Sequence, residues 1–476
     1  MVEWTDPPAA RISFSDWHRN FSKIPDSLID EYRYYRRAGK TDWNTYLQPP
    51  TSFAIYGLRY LKRLTYDNSL ASLRLWGFML NEGERIYRAK QMGKKIVAVM
   101  GDLGPNPVLV YAFPELVPFY PDCLWWAPFL NESSVLFEEA ERFGLGDDCC
   151  FVRAALGAFT KRAYFPDPDL SIASTGATCD DMSAVMQLAQ WQRNLNIHWL
   201  DIPLRKDEEL SVLLQPDLNR HSFDFLVNSF RSLIATLEDL TGHKLDPGKF
   251  RASLQRANHL RSRLLDLKEL TYSASAAPLS ALEMMNAEFM TLSGYGDMEE
   301  AVSVMEHLVE TVRCRRENNE AVLKDDALPV AWINPTADPL LLCWWEDLGG
   351  RVIATEYVIR QALEPLETTG KPEEILANAV MNGSLLGSSR QRARFVIDEA
   401  QKYGAIGGII SVVFASSHCA LETKSIQEDV SKALNGPVLS FDLVGPGKAN
   451  QQAQVRTRLE ALAETLRRKV NQASGQ

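Results

Sequence analysis

Twice in this chain an apolar, β-branched run ends in a short loop that carries a cysteine and passes directly into a helical pattern. In the first case Leu170–Ser174 leads through a Gly-containing loop to Cys179, and an apolar-periodic helix follows to Gln192. In the second, Ile409–Phe414 leads through Ser416, Ser417 and His418 to Cys419, with another helix behind it. Strand runs without polar alternation are buried on both faces, and the helix after each covers a sheet, so the fold is constrained to α/β. A thiol at a strand's carboxyl end and a helix's amino end stands where open α/β sheets bind ligands. The helix N–H groups and dipole there are expected to favour thiolate over thiol.

The remaining pattern groups around these two points. Residues 1–94 are rich in Trp, Tyr and Arg and read as a helical N-terminal extension, with Trp17, Trp43 and Trp76 as packing anchors. Residues 95–205 form a first α/β lobe: a strand in Lys94–Asp102, a Pro-started helix in GPNPVLVYAFPEL, helical Val135–Phe143, and a strand at Ile197–Pro203. Within it Asp147 or Asp148 can cap a short helix that begins at Cys149 and Cys150. Residues 206–325 show almost no strand signal and read as a helical insert, with segments at Asp224–Leu240, Asp246–Leu267, Leu279–Met290 and Met298–Glu317. The run RCRRENNE, Arg313–Glu320, reads as a solvated helix end. Residues 326–476 carry a second α/β lobe and a closing amphipathic helix at Gln452–Lys469. The expected architecture is two doubly wound parallel-sheet lobes of Rossmann or flavodoxin type, with Cys179 and Cys419 facing the cleft between them.

Composition excludes several classes of function. The net charge is −10 and the 51 basic residues form no dense run, which argues against nucleic acid. No apolar run is long enough to cross a bilayer, and the N-terminus lacks the pattern of a signal peptide, so a cytoplasmic protein is expected. Seven cysteines in so long a chain do not make a disulfide framework. Nor is there a phosphate-binding loop: VGPGKAN lacks the needed first Gly, and no strand runs into G-x-G-x-x-G. Energy for a costly reduction would have to arrive through a partner.

Cys149, at another helix start, joins Cys179 and Cys419 as the third candidate ligand. Three thiolates from separate loops suit an iron–sulfur cluster, and three ligands on four irons leave one iron open to substrate. Cys123, Cys314 and Cys343 sit in apolar or helical contexts and read as core residues, as do Trp344 and Trp345. Asp180 and Asp181 can relay protons or cap the first helical turn, and His418 can donate to a cluster sulfur or fill its loop. Ser416 and Ser417 can hold a carbonyl or act as caps. Arg456 and Arg458, at the start of the last helix, can bind phosphates or pair with Glu460 or Glu464.

CCFVRAALGAF, TGATCDDM, HWLDIP, LEDLTGHKLDPGKFRASLQRAN, LPVAWINPTADPLL, EDLGGRVIATEY, GGIISVVFASSHC and QVRTRLEALAETL together resemble the 2-hydroxyacyl-CoA dehydratase and benzoyl-CoA reductase family, in order, over roughly residues 95–470. The resemblance implies two α/β lobes, a 4Fe-4S cluster on three cysteines, a homologous or identical second subunit, and a separate ATP-hydrolysing iron–sulfur activator. Carried over, the ligands are Cys149, Cys179 and Cys419, with Cys150 competing for the first place; Cys149 with Arg153 fits the family motif better. His418, Asp180 and Ser417 are the expected catalytic residues. Where dehydratase subunits commonly carry Thr-Cys-Asp-Gly, this chain has Thr178-Cys179-Asp180-Asp181.

That departure favours reduction of an acyl-CoA by single electrons from the activator, as in a benzoyl-CoA reductase. The alternatives are an (R)-2-hydroxyacyl-CoA dehydratase acting through a ketyl radical, a double-cubane-cluster reductase of small molecules with bridged clusters, and a non-catalytic electron-relay or ligand-binding subunit.

Overall fold

The computed structural model describes residues 4–35, 47–55, 58–100, 104–121, 134–146, 149–204, 218–336, 338–414, 416–443 and 449–473. Cys123 and Trp43 lie outside the described residues. In the N-terminal part, β1 (Arg11–Ser13) pairs antiparallel with β2 (Thr65–Asp67), a two-stranded element too short to announce itself by alternation. Trp17 and Tyr66 stack at 4.2 Å between centroids, and Trp76 meets Tyr66 edge-on at 5.1 Å. Both tryptophans are fully buried, as packing anchors should be.

The first lobe is a four-stranded parallel sheet of β3 (Lys95–Val99), β4 (Leu116–Phe119), β5 (Leu170–Gly176) and β6 (Ile197–Ile202), in spatial order β4-β3-β5-β6. β4 is an addition to the sequence reading, which ran a helix through this region. The helix stops at Tyr111, and Pro118 is tolerated in β4 because the strand pairs only with β3 and is an edge. The second lobe consists of β7 (Leu328–Ile333), β8 (Gly350–Glu356), β9 (Gly407–Val413) and β10 (Val438–Leu443), in the order β10-β9-β7-β8. Reading each lobe by its own strand sequence gives the same order, second-first-third-fourth. The two lobes are therefore Rossmann-like units of one topology, and β5 and β9 are equivalent third strands.

Long helices occupy Leu218–Thr241, Pro247–Tyr272, Ala281–Ser293 and Met298–Glu317. All thirteen residues of Ala281–Ser293 are buried, including Glu283, Asn286 and Glu288. This helix packs on Leu70–Leu80 of the N-terminal part, on Leu340–Asp347 of the second lobe and on Pro247–Tyr272. Its carboxylates are compensated: Glu283 accepts from the backbone N–H of Asp67 at 3.0 Å and from Trp76 at 3.2 Å, and Glu288 pairs with Lys268 at 2.8 Å. RCRRENNE is only partly solvated, since Arg315 is buried and forms an ion pair with Asp67. One residue of that helix end turns inward because it faces β2.

The closing helix, Ala449–Ala473, packs on β7, β10 and Leu340–Asp347. Among the described residues no helix is long and apolar enough to cross a membrane.

Candidate functional site

In the first lobe, β5 ends at Gly176, whose φ of +84° and close approach to the Ile202 carbonyl leave no room for a side chain. The chain then passes Thr178, held by Ser174 Oγ at 3.1 Å, to Cys179, the N-cap residue of the helix Asp180–Arg193. The Met182 N–H in the first turn of that helix faces the Cys179 sulfur. Cys149 and Cys150 lie in a turn ahead of the helix Arg153–Lys161, which starts three residues later than expected. Asp147 and Asp148, the expected caps, lie outside the described residues.

Asp181 joins the two segments. Cys149 Sγ donates to its Oδ1 at 3.3 Å, and the Cys150 N–H donates to its Oδ2 at 3.1 Å. Cys150 itself is within hydrogen-bonding reach of Cys179. Buried Arg153 donates to the Cys149 carbonyl and lies over the Phe137 ring at 4.7 Å.

In the second lobe, Cys419 sits inside a wide, π-type turn, Ser417–Leu421, and not just ahead of the helix; Thr423–Leu434 begins after it. The Cys419 carbonyl accepts from Asn334 Nδ2 at 3.0 Å and Thr423 Oγ1 at 2.7 Å, while Ser416 hydrogen-bonds the thiol. Arg392, fully buried, donates to the His418 carbonyl at 2.7 Å, to Glu422 at 3.1 Å, and to Asn334 Oδ1 and Glu356. His418 Nδ1 meets Glu422 Oε1 at 3.3 Å, and its Nε2 is buried without a hydrogen-bond partner.

The surroundings of the thiols disfavour their ionisation. Burial pushes Cys149 well up, helped by Asp181 and opposed by Arg153. Cys179 is raised by its contact with Cys150 and then by burial, against a backbone N–H from Met182. Cys419 is pushed up to about 12 by burial, with Arg392 opposing and Cys179 adding to the rise. Desolvation and neighbouring like groups thus work against the expected preference for thiolate that the helix N-termini support. Asp181 joins the first lobe's cysteine segments, and Cys419 follows the equivalent third strand of the second lobe.

Other expectations separate. Asp180 is exposed on the first turn beside Asp181. Ser417 contributes backbone to the Cys419 turn, and its side chain lies outside the described residues. Arg456 pairs with Glu460 at 3.4 Å and lies over Trp344 at 5.5 Å. That bears out helix-surface pairing, and it leaves Trp344 only partly buried while Trp345 is in the core. Cys343 is core, but Cys314 is exposed, next to Glu310 on the solvent face of its helix. Sequence reasoning missed Arg392, Asn334, Glu356 and Glu422. The only local signal was Asn334, a residue that tolerates its φ of +64° immediately after a strand.

The family model for the D-component of 2-hydroxyglutaryl-CoA dehydratase matches residues 108–466, three quarters of the chain. The chain belongs to that family. No curated protein matches it. Membership makes it a dehydratase-type subunit of the 2-hydroxyacyl-CoA dehydratase and benzoyl-CoA reductase class, whose members are components of multi-subunit enzymes.

The family is associated with iron–sulfur clusters, and the donor set fits one. Among the described residues no three His, Cys, Asp or Glu side chains converge tightly enough for a single metal ion. Soft thiols from separate loops suit a larger group bound through sulfur. His418 Nε2, one residue from Cys419 in the same turn, is a buried ring nitrogen without a hydrogen-bond partner.

Proposed function

We propose that the chain is the iron–sulfur subunit of an enzyme that transfers single low-potential electrons to an acyl-CoA, receiving them from a separate ATP-hydrolysing activator. The observation that supports this reading is that Cys179 and Cys419 follow equivalent third strands of two like lobes, and that Asp181 ties the Cys149–Cys150 turn to the helix capped by Cys179. The proposed ligands are Cys179, Cys419 and a thiol of the Cys149–Cys150 pair. A cluster so held supplies an electron donor and an iron open to a substrate oxygen.

The chain's own groups then have definite tasks. Arg153 and Arg392 place two buried cations beside a site that gains negative charge. His418 holds a proton-bearing ring between Glu422 and the site, and Asp180 offers an exposed carboxylate at its edge. At the carboxyl end of β9, Phe414 and Leu421 are 58% and 82% exposed, an apolar rim that suits a second homologous or identical subunit.

Within this class we favour reduction, because Asp181 replaces the Gly of the dehydratase pattern and its carboxylate is occupied by Cys149 and Cys150. Dehydration of a 2-hydroxyacyl-CoA is the second reading, favoured by the printed description of the matched family.

The test is iron and acid-labile sulfide on strictly anaerobic protein, with EPR before and after a low-potential reductant, for wild type and for Cys179→Ala and Cys419→Ala. About four irons per chain, lost in both variants, is the expected result for a four-iron cluster. Assay with activator, ATP and acyl-CoA thioesters then separates the readings: ring or double-bond reduction against loss of a 2-hydroxyl group. A wild type that binds no iron after anaerobic reconstitution would overturn the proposal.

A further inference from the structure

Arg392 is the most completely used cation in the second lobe. Its Nε and Nη2 both donate to Oε2 of Glu356 at the carboxyl end of β8, and Nη2 also reaches Asn334 Oδ1 at the end of β7. Nη1 donates to the His418 carbonyl and to Glu422, which lie on either side of Cys419. Arg392 and Glu356 side chains are each 1% exposed. Asn334 completes the frame by donating to the Cys419 carbonyl at 3.0 Å. The turn that carries Cys419 is thus fastened to the ends of two neighbouring strands through one planar, five-donor group.

The turn needs this. It is a single wide winding, its residue Leu421 is 82% exposed, and Phe414 just before it is 58% exposed. Cys419 itself is buried, so the polar frame fixes the inner side of a segment whose rim is exposed. A buried arginine with two donors on one carboxylate is also a charge that cannot swing away, so its field at Cys419 is constant.

We propose that Arg392 is the positioning residue of the Cys419 turn and the fixed countercharge for whatever negative group the thiols hold. This deepens the iron–sulfur reading, and its first half stands without iron. The placement role requires the guanidinium fork; the charge role requires only a cation.

The experiment uses the full chain in two states. In the metal-free, fully reduced state, iodoacetamide labelling at pH 8 is followed by mass spectrometry of the Cys419 peptide, with exposed Cys314 as the rate standard and core Cys343 as the reporter of global opening. Arg392→Lys, which keeps a cation and loses the planar frame, should label Cys419 about tenfold faster than wild type, the size expected for loss of charge-assisted hydrogen bonds, with Cys343 still protected. Arg392→Gln should label more slowly than Arg392→Lys, because the cation that favours the thiolate is gone. The double variant Arg392→Met/Glu356→Met removes the frame and leaves Glu422 its His418 contact, and should speed backbone hydrogen exchange across residues 416–422 if the single variants fail to fold. In anaerobically reconstituted protein, EPR-monitored titration should place the midpoint potential of Arg392→Gln below wild type and that of Arg392→Lys back near it.

Unchanged Cys419 labelling in folded Arg392→Lys would overturn the placement role. A potential that does not move in Arg392→Gln, or that is not restored by Lys, would overturn the charge role. If wild type takes up no iron, the iron–sulfur reading fails while the labelling result still decides the first half.

Discussion

Asp181 Oδ1 accepts the Cys149 thiol proton at 3.3 Å, so a first-turn carboxylate of one helix is tied to the turn that opens another. Its second oxygen takes the Cys150 N–H at 3.1 Å. One carboxylate thereby sets the spacing between Cys179, two residues before it, and the Cys149–Cys150 pair.

Asp181→Ala should therefore cost about 1–3 kcal/mol, the penalty for leaving a buried N–H and a thiol without their acceptor. Denaturant titration of the metal-free chain measures this. A loss within a few tenths of a kcal/mol would mean that the turn is held by Arg153 and packing alone.

The third ligand should be decided by contact. Cys150 is already against Cys179, whereas Cys149 is engaged by Asp181. Cys150→Ala should lower the iron content of reconstituted protein more than Cys149→Ala does. The reverse order, read by iron and sulfide analysis, would return the place to Cys149.

Gly157 sits where the helix Arg153–Lys161 crosses Ser134–Arg142. An added Cβ would run into the Leu136 carbonyl, with its carbonyl carbon and Cα only 2.7 Å away. Gly157→Ala should destabilise by about 1–3 kcal/mol through overpacking. It should also displace the cysteine turn at that helix's start, seen as faster alkylation of Cys149 and Cys150. A variant with wild-type stability and labelling would show that the two helices can part at no cost.

Glu346 carries the clearest pH signature. Burial raises its pKa to about 7 although Arg11 is 3.0 Å away and pulls the other way. Between the ordinary glutamate value and 7 the folded chain holds a proton that the unfolded chain has released. Stability from this group is full below about 4.5 and falls as pH rises towards 7, by an amount on the order of 3 kcal/mol. Glu346→Gln should remove that slope, so the variant gains on wild type as pH rises from 5 to 8. Parallel pH–stability curves would contradict it.

Arg315 is buried beside Asp67, which also faces Glu283. Arg315→Met should cost about 3–5 kcal/mol because it leaves buried carboxylates together without their cation. A urea midpoint close to wild type would show that one of them takes a proton at no cost.

The strand–helix alternation, the Cys179 and Cys419 loops and the helix Met298–Glu317 were legible in the sequence, because periods of 2 and 3.6 residues are written locally. The family was legible too, through short strings in a fixed order. What the sequence by itself determined is thus the set of elements and the two loops that end in thiols. Tertiary structure decided which thiols meet, since Cys150 and Cys149 differ only in which neighbour each turn residue faces. It decided that Cys314 is exposed and Arg315 buried, one residue apart on the same helix. It also decided that Arg392, an unremarked charge in the first turn of Ser389–Tyr403, reaches Asn334, Glu356 and the Cys419 turn. Pairing of buried charges depends on which faces come together across tens to hundreds of residues, and no local period encodes that.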